Sequence, residues 1–401
     1  MSFQTSAQFP YINFGFEGEL MTENTNVLLE RRLSHQPQIN LARPTSGRMW
    51  LVSGCAFLVV IQSSLSDSFS SLLVALSAVV AGLLTEFLIT YKGGKTNALR
   101  DGSVVASALI LALLLPNKIF PVYAAAGAVF AIAVVKHSFG GLGSNWLNPA
   151  AGGWLFIRFS WPAAFKAALE GSPLSLLSES VGRGVTNLQG SPMGILKIDA
   201  ADLFASATPF EGTVRAVFNE TIFSFLKIEL PSGYLDLFAS RFPGIIADRG
   251  VLFLLLGTII ITAYQVNRAW IPAVFLAVFC FLFRYAGALF YGGSLWNGDV
   301  LFAICSGGTL AAAFFLAADP ATGAKSNGGI FIAAAAAGCI SFLFRCFGAE
   351  PYGVVYAILF VNAALPLIRI AENRILYERR MASHGAANAE ASRHWAEGRN
   401  S

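Results

Sequence analysis

Ten stretches of this chain are too apolar to remain against water, and they dictate most of what it can fold into. They fall at about 49–65, 68–90, 103–115, 119–135, 146–160, 251–266, 270–290, 300–318, 329–346 and 353–370. Backbone N–H and C=O groups inside hydrocarbon must find partners within the chain, so separate spans of this kind are helices. Composition agrees. Charged residues make up 12 %, against about 25 % in an ordinary soluble domain. Hydrophobic residues reach 55 %, with 38 Gly and 34 Phe, and the mean hydropathy is +0.61. These values exclude a soluble enzyme, a disordered chain and a disulfide scaffold. The expected fold class is an all-α polytopic membrane protein of about ten transmembrane helices.

The net charge of +4 is too small to point to nucleic acid, but its placement sets an orientation. Basic residues gather before the first span (Arg31, Arg32, Arg43, Arg48), after the second (Lys92, Lys95, Arg100) and after the last (Arg369, Arg374, Arg379, Arg380, Arg393, Arg399). With ten spans these three segments share one side, which the positive-inside rule makes cytoplasmic. Both termini are then expected inside, with the long polar stretch 161–249 in a periplasm-like space. Residues 1–47 lack a basic start followed by a short apolar core, so no cleavable signal peptide is expected. The five cysteines form no CxxC, so neither an iron–sulfur nor a zinc site is expected, and no metal is assigned.

The two apolar halves echo each other. One span follows Asp101-Gly102 and stops at Leu114-Leu115-Pro116; another follows Gly298-Asp299 and stops at Ala318-Asp319-Pro320. The next spans end in Lys136-His137-Ser138-Phe139-Gly140 and Arg345-Cys346-Phe347-Gly348. Five spans per half is odd, so the repeats run in opposite senses, an arrangement that places sites near the bilayer midplane at broken helices. The expected organisation is an N-terminal segment 1–47, a first repeat 48–160, an external loop 161–249, a second repeat 250–371 and a tail 372–401. Residues 103–115 extend only about 20 Å as a helix, so a half-helix ending near Pro116 is predicted. Ser306-Gly307-Gly308 is expected to break the eighth span, and the run Asn145–Gly153 to unwind the fifth.

Acids near hydrocarbon are costly and mark function. Glu86 near the end of the second span, Asp101 before the third and Asp319 at the end of the eighth are the candidates for an ion path; helix capping is the competing role for Asp101 and Asp299. Asp248 carries a weaker claim. His137 reads as a capping or core residue. In the long loop, Asp202-Leu203-Phe204-Ala205-Ser206-Ala207-Thr208-Pro209-Phe210 reads by itself as a turn.

A wider set of segments changes that reading. Asp101-Gly102, Leu114-Leu115-Pro116, Lys136, Phe139-Gly140-Gly141-Leu142-Gly143, Asn145, Asn148-Pro149-Ala150, Ser306-Gly307-Gly308, Phe314-Phe315, Asp319-Pro320-Ala321-Thr322, Pro351-Tyr352-Gly353, Asn362 and Pro366-Leu367-Ile368 resemble one family of membrane redox subunits. That family comprises NqrB, from the sodium-translocating NADH–quinone reductase (Nqr), and RnfD, from the Rnf ion-translocating complex. The resemblance covers about residues 48–370. It implies FMN held through a phosphoester on the threonine of a D-x-x-S-G-A-T segment, installed by a separate flavin transferase. Here Asp202, Ala207 and Thr208 match, and Ala205-Ser206 stands where the family carries Ser-Gly. Thr208 is the implied attachment residue, with Asp202, Ser206 and Ala207 in the attachment motif.

The resemblance further implies riboflavin or quinone binding in the membrane half, without naming residues. It also implies an inner-membrane location, the other membrane and flavoprotein subunits of an Rnf- or Nqr-type complex as partners, and lipid around the spans. The leader of about 47 residues looks closer to the Rnf type. The expected function is a membrane subunit that carries covalent FMN and couples electron transfer to Na⁺ or H⁺ transport, incomplete as an enzyme alone. A non-redox channel or secondary transporter with inverted repeats fits the hydropathy equally well; only the Thr208 segment and the family motifs separate the two.

Overall fold

The computed structural model describes residues 45–65, 69–92, 100–138, 140–141, 145, 147–170, 209–224, 238, 244–266, 268–287, 289, 295–319, 323, 326–347 and 352–397. The first half contains α1 (Thr45–Leu65), α2 (Ser70–Lys92), α3 (Ser103–Leu113), α4 (Pro121–Phe130, running on as a π-helical turn to Lys136), α5 (Pro149–Ser160) and α6 (Pro162–Ala168). Helix α7 (Pro209–Phe218) belongs to the long loop. The second half contains α8 (Ile246–Arg249), α9 (Val251–Ala263), α10 (Trp270–Ala286), α11 (Val300–Cys305), α12 (Thr309–Ala311, running on as a π-helical turn to Ala317), α13 (Asn327–Phe347) and α14 (Val354–Glu397). Among the described residues there is no strand, and a single antiparallel bridge joins Pro116 to Ile245.

Each of the ten apolar stretches is largely helical where described. Helices α1, α2, α13 and the Val354–Arg374 part of α14 are long and apolar enough to cross a bilayer. Helix starts follow the local chemistry. Pro121 and Pro149 open α4 and α5, where the missing N–H has no intrahelical partner to lose. Asp299 caps α11 by accepting from Phe302 N at 3.0 Å. The α3 start uses Gly102 at φ 73°, a conformation glycine tolerates, packed so that an added Cβ would meet the Trp50 ring at 3.1 Å.

The halves repeat the same packing: α2 lies on α4 and α4 on α5, as α10 lies on α13 and α13 on α14. The repeats are inverted. Gln62 near the end of α1 accepts from Phe253 N near the start of α9 at 2.7 Å. At the opposite end, Arg48 in the first turn of α1 and Val266 just past α9 line one cavity. Packed partners meeting start to end are antiparallel. The basic segments also gather as the parity argument requires. Ser46 Oγ and Trp50 Nε1 bond the Arg100 carbonyl at 3.1 and 3.2 Å. Arg369 bonds the Gly323 carbonyl at 2.9 Å, and Gly323 lines the cavity that Arg48 and Arg268 face.

Helix α3 stops inside the protein, as its length predicts. Leu111, Leu113, Leu114 and Leu115 are buried on every side. Its last carbonyls therefore need partners that a continuing helix would have supplied. Trp154 Nε1, from the fully buried indole on α5, bonds Leu114 O at 3.0 Å. Ile246 N bonds Leu115 O at 3.0 Å, and Asn117 N bonds Gly244 O at 2.9 Å. The segment entering the second repeat thus closes the break in the first.

The fifth span departs from expectation. Helix α5 begins at Pro149 and includes Gly152 and Gly153, so the run Asn145–Gly153 unwinds only up to Asn148. The two glycines serve close packing: a Cβ on Gly153 would stand 2.7 Å from Gly127 O, and one on Gly152 would stand 2.7 Å from Val135. Small residues at such crossings let helix backbones approach.

Replacing Trp154 with Phe keeps an aromatic ring and deletes the bond to Leu114 O. A buried carbonyl left alone costs about 1–3 kcal/mol. Trp154→Phe is expected to lower the thermal midpoint of the detergent-solubilised protein, read by tryptophan-independent aggregation or static light scattering.

Candidate functional site: two breaks, a buried ion pair and two cavities

The second broken helix is held by a pair of opposite charges. Between α11 and α12 the chain turns through Ser306, Gly307 (φ 68°) and Gly308 (φ 71°). Those two positive φ values explain the Gly-Gly pair, since other residues are strained there. The break leaves N–H groups at the start of α12 and carbonyls at the end of α11. Asp248, on α8, accepts from Gly307 N and Gly308 N at 2.8 Å each. Arg345, on α13, donates to Ala303 O at 2.8 Å, Ser306 O at 2.9 Å and Thr309 Oγ1 at 3.0 Å, and also bonds Ser306 Oγ. Its guanidinium lies 5.7–5.9 Å from the ring centroids of Phe279, Phe283 and Phe302, a favourable cation–π setting. A carboxylate therefore covers the positive end of one half-helix, and a guanidinium the negative end of the other. Asp248, the weaker acidic candidate, fastens the break.

The equivalent place in the first repeat carries a buried ion pair. Glu86, on α2, is 1 % exposed and Lys136, at the end of α4, 2 %. Lys136 Nζ stands 3.0 Å from Glu86 Oε1 and 3.0 Å from Ser103 Oγ. His137 caps the end of α4, its N–H bonding Ile132 O at 3.2 Å, and its Nε2 stands 2.7 Å from Glu86 Oε2, so the histidine is a cap, as expected, and also a partner of the acid. Asp101 Oδ1 accepts from Ser103 N at 2.8 Å and from Ser103 Oγ at 2.7 Å. Asp101 therefore caps α3 and tethers the hydroxyl that solvates Lys136. The acids at the two helix starts, Asp101 and Asp299, both cap.

Asp319 joins the repeats. Its Oδ2 accepts from Asn148 Nδ2 at 3.0 Å, while Asn148 Oδ1 caps α5 by accepting from Ala150 N and Ala151 N at 3.0 and 3.3 Å. The N-terminus of α5 and the end of the α12 half-helix are thus tied by one amide and one carboxylate.

Two cavities open on this pair, and both are lined by Arg48, Val266 and Asp319. One, of about 320 Å³, is lined by the polar Ser103, Ser107, Lys136, Asn145 and Asn148 and by the aromatic Phe314 and Phe315. Oriented to donate, the Asn145 amide reaches the carbonyls of Lys136 and Gly141 at 3.0 and 2.9 Å. The other, of about 450 Å³, runs between α13, α14 and the end of the α12 half-helix, with Asn362 in its wall. Both volumes fall in the range of organic-ligand sites.

Of the residues singled out in the sequence, Asp319 and the Lys136 partner of Glu86 face one cavity; Glu86 and Asp101 stand one contact behind it. Thr208, Asp202, Ser206 and Ala207 lie outside the described residues. Sequence reading assigned no role to Lys136, Arg345, Asn148 or Asn362. The signal for the two cations was available, because a buried Lys or Arg in a span needs a partner. Which amides would face a cavity was not.

Fold and site together define a helical membrane protein whose two inverted repeats each contain a discontinuous helix, with polar cavities at their junction. Comparison with known proteins makes this specific. Residues 32–377 match the NQR2, RnfD, RnfE family, and the chain belongs to it. It is similar to the D subunit of the proton-translocating ferredoxin:NAD(+) oxidoreductase complex of Clostridium ljungdahlii, with 29 % identity over 84 % of this chain and 92 % of that protein. It is also similar to the D subunits of the ion-translocating oxidoreductase complexes of Vibrio cholerae (28 % identity; 84 % and 96 % covered) and Alcanivorax borkumensis (32 %; 75 % and 83 %).

The Glu86–Lys136 pair makes a sharp prediction. Removing one charge strands the other in the protein, at a cost of about 3–5 kcal/mol, whereas replacing both by apolar residues is close to neutral. Glu86→Gln is expected to destabilise the detergent-solubilised protein strongly in thermal unfolding, and the double variant Glu86→Leu/Lys136→Met to recover most of the loss.

Proposed function

We propose that this chain is a membrane subunit of an ion-translocating oxidoreductase complex of the Rnf type, carrying flavin and contributing to the path of Na⁺ or H⁺. The observation that carries the reading is the junction of the two broken helices with the cavity bounded by Lys136, Asn145, Asn148, Phe314 and Phe315, in a chain whose relatives are named as such subunits. Other subunits of that complex are the partners. The positive-inside rule puts the basic end, with Arg48, Arg100 and Arg369, in the cytoplasm and the 161–249 loop across the inner membrane.

Two flavins fit the chain differently. Covalent FMN is assigned to Thr208, with Asp202, Ser206 and Ala207 as the segment read by a flavin transferase. The residue after Thr208 opens α7, and a helix N-terminus favours a phosphate group. Non-covalent riboflavin is assigned to the 320 Å³ cavity. Phe314 and Phe315 offer apolar aromatic surface, and Lys136, Asn145, Asn148 and Ser107 offer polar groups in the same lining. A bound flavin supplies one- and two-electron transfer; the protein fixes its position and polarity. Lys136 is already neutralised by Glu86, so it orients a ring edge without adding net charge. Asn148 is held by its cap and by Asp319, which presents it rigidly.

In cells with an active flavin transferase, the wild-type chain is expected to yield a peptide containing Thr208 with an FMN-sized mass increment. Thr208→Val is expected to abolish that increment and the in-gel flavin fluorescence, while acid extraction still releases riboflavin. A wild-type peptide without the increment would defeat the FMN assignment.

A further inference from the structure

The larger cavity is lined by a donor that nothing around it answers. Asn362 is 5 % exposed, and its Nδ2 is buried with no hydrogen-bond partner among the described residues. It lies within the Val354–Arg374 span, where a lone amide is expensive. An N–H in that place calls for an acceptor. The charge of the lining calls for one too. Among its described residues, the guanidiniums of Arg48 and Arg268 stand against one carboxylate, Asp319, whose Oδ2 already accepts from Asn148. Arg268 lies at the exposed end, where it bonds Asn327 Oδ1 at 3.2 Å. A third guanidinium, Arg369, bonds the carbonyl of the lining residue Gly323 at 2.9 Å. Much of the remaining wall is aliphatic, including Ile330, Ile358 and Leu365, and the small side chains of Ala334 and Ala337 leave it room.

We propose that this cavity holds an anionic glycerophospholipid of the cytoplasmic leaflet, with its phosphate at Arg48 and Arg268, an acyl ester carbonyl accepting from Asn362 Nδ2, and the acyl chain against the aliphatic wall. Each part of such a molecule meets a feature of the lining that otherwise goes unmatched. Basic pockets between membrane helices on the cytoplasmic side suit acidic headgroups, and a guanidinium fits the geometry of a phosphate. Asn362 precedes Arg369 by two turns of α14, about 10 Å along the helix axis. The amide and the guanidiniums therefore serve different depths of one elongated ligand. A free phosphate would leave the amide and the aliphatic wall unmatched, and a zwitterionic lipid would leave the excess positive charge. The proposal does not depend on either flavin assignment.

The test uses the intact detergent-purified complex and a phosphatidylglycerol carrying a photoreactive diazirine on its acyl chain, with labelled peptides of this chain read by mass spectrometry. Labelling is expected on α13 and α14. Unlabelled competitors then define the chemistry. Ester-linked phosphatidylglycerol is expected to compete best. The ether-linked analogue, which has no carbonyl, is expected to be about fivefold weaker, the worth of one net hydrogen bond. Phosphatidylethanolamine is expected to be weaker still, and sodium phosphate at equal ionic strength to displace nothing. Asn362→Leu is expected to abolish the preference for ester over ether while keeping that for phosphatidylglycerol over phosphatidylethanolamine. Arg268→Gln is expected to weaken phosphatidylglycerol about fivefold, the usual effect of one basic residue on an acidic lipid, and to keep the ester preference. Because the ester and ether comparison is made on the wild-type complex, it stands even if a variant fails to assemble. Equal competition by phosphatidylethanolamine, or by the ether lipid in the wild type, overturns the site. So does displacement by sodium phosphate, which assigns the cavity to a soluble anion, or an Asn362→Leu complex that loses riboflavin, which assigns it to flavin.

Discussion

A helix that stops inside hydrocarbon exposes peptide groups to a solvent that cannot bond them, at several kcal/mol for each group left alone. This protein stops two helices in that way, and the rest of its architecture follows from satisfying them. The end of α3 is closed by Trp154 and by the Gly244–Ile246 segment. The gap between α11 and α12 is closed by Asp248 on one side and Arg345 on the other. Each break is thus sealed by groups far away in sequence, and the four-residue helix α8 serves both: Ile246 bonds the first break and Asp248 the second. The two repeats cannot be separated without reopening both helices.

The repeats share a plan and differ in charge. Lys136 and Arg345 end corresponding helices, but Lys136 is neutralised by Glu86, whereas Arg345 is placed among carbonyls, two hydroxyls and three aromatic rings. The difference suits their surroundings. A point-like ammonium is well held by one carboxylate and one hydroxyl, while a planar guanidinium can serve several acceptors at once and stack on rings. It also separates tasks. The first repeat presents a neutralised polar edge to the smaller cavity, and the second sends the end of its half-helix, with Asp319, into the larger one.

Much of the scaffold was legible. The helical state of the ten apolar stretches, the short third helix, the Gly307-Gly308 break and the capping role open to Asp101 and Asp299 all followed from hydropathy, length and local residue chemistry, because those are local properties. The fifth span shows where locality fails. Gly152 and Gly153 look the same in sequence whether they loosen a helix or admit a neighbour, and only the approach of Gly127 and Val135 decides for packing. The capping position of His137 was legible, but its ring partner was not, for the same reason, since Glu86 lies a whole helical hairpin away.

The amino-acid sequence by itself determined that the chain is an all-α membrane protein, that its halves run in opposite senses and which family it resembles, since hydropathy, parity and short motifs need no knowledge of neighbours. Only the tertiary structure decided which acids are bonded to backbone, which cation is paired, and that Asn148 and Asn362 line two cavities that share Asp319. Those facts depend on distances between residues far apart along the chain, and a distance of that kind exists only once the helices have packed.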